Sequence, residues 1–342
     1  MNTNLIAIDL AKNVFHLQGM SKTGRKTISK KVSRKRLVAE VLKLKPRTVV
    51  MEACYSVNYW GRLFQSHGIE VGAIPAQFVK PFVQGNKNDA NDALAIAQAS
   101  QRPKVRWVPI KTIEQQDIQS LHRIRQRHVE NRTALGNQIR GLLSEYGIVI
   151  ARSMSKLKLA LPDILEDADN GLSPVAREFL QSLAEEFKAM TKMLERDERA
   201  ITQLSGLNDD FQRLLTIPGV GKLMSSALIA AVGHASQFSS GRQLSAWMGL
   251  TPRQYASGEI SHMSGISKRG NRYLRTLFIH GARAALSRCK RRDHHLLQWA
   301  DKIAERRGKH KACVALANKI ARVAWALLTH KTEFDYRTMC AA

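Results

Sequence analysis

Four carboxylates in this chain have the type and spacing to do chemistry: Asp9, Glu52, and the pair Asp89 and Asp92 in the run G-N-K-N-D-A-N-D-A. The first 100 residues contain six acids in all, against fifteen Lys and Arg. Carboxylate oxygens are the ligands that hard Mg²⁺ or Mn²⁺ prefers, and such ions activate phosphodiesters. The plainer reading is that these acids are caps and solvated charges. Against it, three separate segments each supply an acid at the end of a strand or in one helical turn. Lys87, just before the Asp pair, reads as a phosphate contact or as a solvated lysine.

A second chemical centre lies in T-P-R-Q-Y-A-S-G-E-I-S-H-M-S-G-I-S-K-R-G-N-R-Y-L-R, residues 251–275. Ser257, beside a glycine on an expected flexible loop and near Arg253 and Arg269, has the chemistry to attack a phosphodiester. The arginines would offset the charge that develops on the phosphate. Tyr255 is its rival, since tyrosine is also a nucleophile for DNA strands. Ser261, Ser264 and Ser267 read as loop polar groups.

The elements that must position the acids alternate between short β runs and helical stretches. Strands are expected at Leu5–Leu10, Val14–Met20, Lys26–Val32, Thr48–Ala53 and Ile69–Ile74. Helices are expected from a Ser33 cap to about Leu44, over Asn58–Ser66, and through Asp89 and Asp92. Three strands, a helix, then strand–helix–strand–helix is the order of the ribonuclease H-like fold. Asp9 and Glu52 then end their strands, and acids at i and i+3 share a helical face.

The middle of the chain differs in kind. Ile118, Leu121, Arg125, His128, Arg132, Leu135, Ile139 and Leu142 recur in steps of three and four. So do Leu180, Leu183, Phe187, Met190, Leu194, Asp197, Ile201 and Leu204. Two heptad-spaced helices are expected, packing on each other or on a second subunit. Arg125 and Arg132 opposite Asp197 would set their register. Ser173-Pro174 starts the second helix, and the acidic stretch Pro162–Leu172 reads as a turn.

The C-terminal part opens with L-L-T-I-P-G-V-G-K-L-M-S-S-A-L-I-A-A-V-G, the pattern of a helix-hairpin-helix. In it Gly219, Gly221 and Lys222 would meet a phosphate, unless the glycines only make a tight core turn. Residues 241–342 hold twenty Lys and Arg against six acids, densest in Lys268–Arg275 and Arg288–Arg292. Lys268, Arg269 and Arg272 can neutralise a nucleic-acid backbone without reading its sequence.

At 342 residues and a net charge of +26, the chain has room for two or three domains and points to a polyanionic partner. Nucleic acid is favoured over membrane, because no apolar run is expected to span a bilayer and the start lacks the features of a signal peptide. Cys54, Cys289, Cys313 and Cys340 form no C-x-x-C pair, so a reducing cytoplasm is expected. No repeat or low-complexity segment is evident.

Taken together, I-A-I-D-L-A-K, M-E-A-C, N-K-N-D-A-N-D-A, I-P-G-V-G, M-G-L-T-P-R-Q-Y-A-S-G and S-K-R-G-N-R-Y-L-R resemble the DEDD transposases of the insertion sequence one-ten family. The likeness is greatest to its insertion sequence eleven-eleven subgroup and covers nearly the whole chain in the family's order. The resemblance implies three parts. A RuvC-like, ribonuclease H-fold domain would span 1–110, a coiled-coil dimerisation hairpin 111–206, and a mainly α-helical C-terminal transposase domain 207–342. It implies Asp9, Glu52, Asp89 and Asp92 as Mg²⁺ ligands and Ser257, in Y-x-S-G, as the nucleophile. It implies recombination of donor and target DNA guided by a bridge RNA, by dimers that assemble as tetramers with composite active sites. Where many relatives have a small residue and then glycine after Glu52-Ala53, this chain has Cys54-Tyr55-Ser56, so the tight turn there is not assured by sequence. With both ends of the pattern present, the chain is expected to be active rather than a decayed copy.

Two other readings remain at this level. One is a metal-dependent nuclease that resolves branched DNA by hydrolysis, with Ser257 structural. The other is a non-enzymatic nucleic-acid-binding protein whose acids serve folding.

Overall fold

A computed structural model of the chain describes residues 3–84, 88–103, 105–233, 235–288 and 295–335. Lys87, Cys289, Cys340 and residues 289–292 of the basic run lie outside the described residues. Two compact units result, Met1–Gln115 with Val232–Ser239, and Gln116–Ala231 with Ser240–Ala342.

In the first unit, β1 (Leu5–Asp9), β2 (Val14–Met20), β3 (Lys26–Ser33), β4 (Thr48–Glu52) and β5 (Glu70–Ile74) form one sheet in the order β3-β2-β1-β4-β5. β4 is parallel to β1 and β5, while β2 runs antiparallel to both of its neighbours, β1 and β3. The central strands LIAI and TVVM are buried along their length, as a strand covered on both faces must be. β3, at the edge, carries Lys26, Lys30 and Lys31, charges that discourage pairing with another chain. α1 (Leu37–Leu44) and α2 (Val57–Ser66) accompany a core of Ile6, Ile8, Val49, Met51 and Phe64. α3 (Ala76–Val79) precedes α4 (Asp89–Ser100), whose Ala95, Ile96, Ala97 and Ala99 join Leu5, Ala7, Val50 and Ile74 in a second core. The alanines let α4 lie close to the sheet.

The strands and helices of this unit fall where the sequence places them, with ends displaced by a residue at most. The exception is the start of α1. Ser33 makes no side-chain cap; a 3₁₀ turn at Arg34–Arg36 precedes the helix, and the Arg34 amide is already committed to the Asn13 carbonyl at 2.8 Å.

The second unit is mainly helical. α5 (Ile113–Ser144), α6 (Met154–Glu166) and α7 (Pro174–Gly206) share a core of Leu135, Ile139, Leu143, Leu157, Leu161, Leu180 and Phe187. α6 corrects the N-terminal part of the turn expected at Pro162–Leu172: residues 162–166 are helical, and only 167–172 remain as bends and irregular chain before α7. Leu157, Leu161, Ile164 and Leu165 make an apolar stripe at helical spacing, and Pro162 is accommodated inside the helix. The seam differs as well. Asp197 pairs with His128 at 2.7 Å, while Arg125 pairs with Glu198, so neither expected arginine meets Asp197. Leu204 is 45% exposed and Ser205 is buried in its place, which rotates the seam at the end of α7.

α8 (Asp209–Leu215) and α9 (Lys222–Val232) flank the P-G-V-G turn, followed by α10 (Gly241–Trp247). A two-stranded hairpin, β6 (Pro252–Ser257) and β7 (Ile260–Ile266), comes next, then α11 (Arg272–Arg288), α12 (His295–Arg307) and α13 (Lys309–His330). α13 is long and apolar enough to cross a membrane by length and composition, contrary to the expectation of no such run. Its Leu316, Ile320, Ala324 and Leu328 are instead buried within the fold.

Candidate active site

Strand parity decides where the first two acids point. Leu5 and Ala7 of β1 and Val50 of β4 face the α4 side, whereas Ile6, Ile8, Val49 and Met51 face the other core. Alternation therefore turns Asp9 and Glu52 toward α4. The parallel register Ile8↔Met51 brings these acids level at the carboxyl ends of neighbouring strands. α4 begins at this edge. Asn88 caps it by accepting from the Asn91 amide at 2.8 Å, leaving Asp89 and Asp92 in its first turn.

The electrostatics agree with that placement. Burial raises the Glu52 carboxyl above the usual carboxylate range, Asp92 raises it further, and Lys80 opposes both. Burial pushes the Cys54 thiol up to about 11, with Glu52 and Asp9 adding to the shift. On β2, His16 stands opposite Asp9. Burial lowers its pKa and the Asp89 carboxylate resists the change. Its Nε2 lies 2.9 Å from the Ser29 hydroxyl. The tight turn after Glu52 also forms without glycine: Ser56 takes a left-handed conformation, φ 62°, and the Cys54 amide donates to the Glu52 carbonyl at 2.8 Å.

Four carboxylates are a suitable donor set for a hard divalent cation. Among the described residues, no three His, Cys, Asp or Glu side chains are grouped closely enough to hold one. The acids share an edge without making a closed cage.

Ser257 stands in the other unit, on ordered secondary structure rather than the flexible loop expected. It ends β6 opposite Ile260, and Gly258, at φ 58°, opens the two-residue turn. The hairpin is solvent-exposed throughout apart from Ile266 at its foot. Cross-strand pairing puts Tyr255 opposite His262 on the face that also carries Ser257 and Arg253.

The loop after the hairpin is tightly held. Lys268 adopts φ 55° and its amide donates to the Gly249 carbonyl at 3.1 Å. Arg275 is buried, donating to the Met248 carbonyl at 2.9 Å and the Arg269 carbonyl at 3.0 Å. It is a brace within the fold, not a surface phosphate contact, whereas the Arg269 and Arg272 side chains are exposed. Gly219, at φ 83°, sits where a Cβ would lie 2.5 Å from the Gly281 carbonyl of α11, so close packing requires it. Gly221 and Lys222 are exposed at the start of α9.

Sequence reasoning passed over His16 and a buried set in the second unit. There His122 lies 2.9 Å from both the Tyr273 hydroxyl and the Ser226 hydroxyl, linking α5, α11 and α9. Burial drives its pKa down to about 4, with Arg125 contributing. A lone histidine at an otherwise polar helix position gave no signal; only the partners identify it.

Comparison with known proteins defines the class. A DEDD family model described as Transposase matches residues 6–148, which include all four acids, and one described as Transposase IS116/IS110/IS902 family matches 211–298, which include Ser257. The transposase for insertion sequence element IS1111A of Coxiella burnetii is 45% identical over 330 residues, 96% of this chain and 91% of that protein. A probable family 20 transposase of Pseudomonas aeruginosa is 41% identical over 97% of this chain and 98% of its own length. The transposase for insertion sequence element IS1328 of Yersinia enterocolitica is 36% identical, covering 98% and 99%. This chain belongs to the IS116/IS110/IS902 family of DEDD transposases, enzymes that move insertion sequences by DNA recombination.

Proposed function

We propose that this transposase cuts and rejoins donor and target DNA through a covalent phosphoserine at Ser257, with Mg²⁺ (or Mn²⁺) held by Asp9, Glu52, Asp89 and Asp92. A bridge RNA would choose both DNA sites by base pairing. The observation that carries the reading is the common edge formed by Asp9, Glu52 and the first turn of α4. The strand order β3-β2-β1-β4-β5 supports a RuvC-like, ribonuclease H-fold domain over 1–110. The coiled-coil role of 111–206, and assembly of dimers into tetramers, is supported by apolar side chains left exposed on α5 and α7, among them Ile124 and Met193. Residues 207–342 form the transposase domain carrying Ser257. Action in the cytoplasm, on the nucleoid, follows from the substrate.

In this scheme the Ser257 oxygen bonds to phosphorus as one phosphoester P–O bond breaks. The released hydroxyl takes up a proton, and the serine proton passes to solvent or a carboxylate. The ester energy is kept in the Ser–phosphate bond, so rejoining needs no ATP. Arg253, four residues before Ser257 on the same strand, is proposed to help neutralise the DNA backbone beside the reacting phosphate. A bound divalent ion would polarise that phosphate. Lys268, Arg269, Arg272, Lys222 and the exposed Gly221 amide are proposed backbone contacts, as is Lys87; the packed Gly219 serves the turn that presents them.

The test is a suicide-substrate trap. The protein, the non-coding transcript of its own element, and nicked, labelled donor and target DNA are combined with Mg²⁺, and protein-linked DNA is sought. An adduct lost in Ser257→Ala and Asp92→Ala, and absent without RNA, is expected. Cleavage with no adduct would establish hydrolysis instead. An adduct that survives Ser257→Ala but not Tyr255→Phe would move the nucleophile.

A further inference from the structure

At the foot of the hairpin, a groove of about 1040 Å³ runs between Pro252 and Met263–Ile266 on one side and α12 and α13 on the other. Its floor is apolar, formed by Leu250, Ile266, Val314 and Ala315. Arg307, His310, Lys311, Lys319 and Arg322 line it, and among the described residues no carboxylate does. Trp299 also lines it, 37% exposed, with the Lys319 ammonium 5.2 Å from the ring centre. We propose that this groove binds an unpaired stretch of DNA, its phosphates against the basic side chains and a base stacked on Trp299.

The occupant follows from two features together. Cations without a balancing acid select a polyanion. A duplex would meet them with its phosphates alone, leaving the apolar floor and the indole without partners. Bases outside a helix have faces to stack, and aromatic platforms inside basic grooves are how proteins hold single strands. Lys311, Ala315, Lys319 and Arg322 recur at intervals of four and three, so they share one face of α13 over about 16 Å, a strip long enough for several nucleotides. DNA is favoured over RNA by position. The groove adjoins the strands that carry Ser257, and a family that recombines DNA must expose unpaired strand where it cuts. An RNA site would instead need partners for the 2′-hydroxyl. Of the polar lining groups, Asn318 already donates to the Leu250 carbonyl at 3.2 Å.

The proposal rests on the family's action on DNA and needs neither Ser257 nor a metal. Its test therefore uses full-length Ser257→Ala protein without divalent ions, so a failed strand-transfer chemistry cannot imitate a failed groove. Fluorescence anisotropy would measure binding of labelled dT12, a 12-base-pair duplex and rU12 across a salt series. Trp299→Ala is expected to weaken dT12 binding about tenfold, and to change duplex binding less than twofold. Lys311→Ala and Arg322→Ala are expected to flatten the salt dependence for dT12. Circular dichroism checks the fold of each variant, and Lys319→Glu gives an independent probe that removes no packing side chain from the core. Unchanged dT12 binding in both Trp299→Ala and Lys319→Glu would overturn the proposal, as would an equal loss for duplex. Tighter binding of rU12, lost in the same variants, would reassign the groove to RNA.

Discussion

The carboxylate edge and the serine hairpin carry the two halves of the proposed chemistry, and they are built in opposite ways. Asp9 and Glu52 extend from strands whose preceding residues are buried, and the capped α4 brings Asp92 within electrostatic reach of Glu52. Their directions are fixed by pleat and register, and Glu52 bears the electrostatic cost as a raised pKa. Ser257 stands on six consecutive exposed residues, with a backbone ladder and a glycine turn but no core beneath its side chain. A preorganised charge site has to resist its own repulsion, so it needs rigid support. A nucleophile that must reach a large polymer needs access first. The tight ground lies below the hairpin, where a Cβ at Gly270 would come 1.8 Å from the Trp247 carbonyl.

The largest effect that would sharpen this contrast is on catalysis. Ser257→Ala and Asp92→Asn are each expected to lower strand cleavage by on the order of 10³-fold or more, measured by gel analysis of labelled DNA. Ser257→Ala is expected to leave thermal unfolding unchanged, since nothing packs on its hydroxyl. A large loss of stability would place the hairpin inside a core and break the comparison.

Next comes acid sensitivity in the second unit. The folded-state pKa of His122, about 4, lies below its ordinary 6.5. As pH falls, protons bind the unfolded chain first. Stability is complete above about 6.5 and declines as pH drops toward 4, by roughly 3 kcal/mol at about 1.4 kcal/mol per pH unit. Urea unfolding at several pH values would read it, and His122→Gln is expected to remove that decline.

A smaller effect separates charge from packing at the carboxylate edge. Glu52→Gln keeps shape and removes a partly desolvated charge facing Asp92. The fold is expected to be as stable as the parent or slightly more so, because the charge it loses is only partly desolvated, while cleavage is lost. Loss of stability with loss of activity would mean that Glu52 supports the sheet rather than a metal. The smallest effect is Ile260→Ser at the hairpin tip. It is expected to move stability by less than about 0.5 kcal/mol, because this side chain is 60% exposed.

Much of the first unit was legible because its signals are local. An apolar run ending in Asp9 and another ending in Glu52 each declare a strand and its end, and the Asp pair at i and i+3 declares one helical face. α6 was not legible, since Pro162 and the nearby acids read as a turn, whereas burial of Leu157 and Leu161 against α5 and α7 outweighed them. The same holds for the seam. Heptad spacing put Arg125, Arg132 and Asp197 on facing stripes, but pairing depends on helix rotation, and His128 is the residue that meets Asp197.

By itself the sequence determined the strand and helix order of the first unit, the excess of basic charge and the family likeness, because periodicity and motifs are properties of neighbouring residues. The tertiary structure alone decided that Asp9 and Glu52 share a face and a level, that Ser257 stands at the end of an exposed hairpin, that His122 is neutral between Tyr273 and Ser226, and that Trp299 shares one groove with Arg307, Lys311, Lys319 and Arg322. Those facts join residues far apart in the chain, through register, helix rotation and burial, which no local pattern encodes.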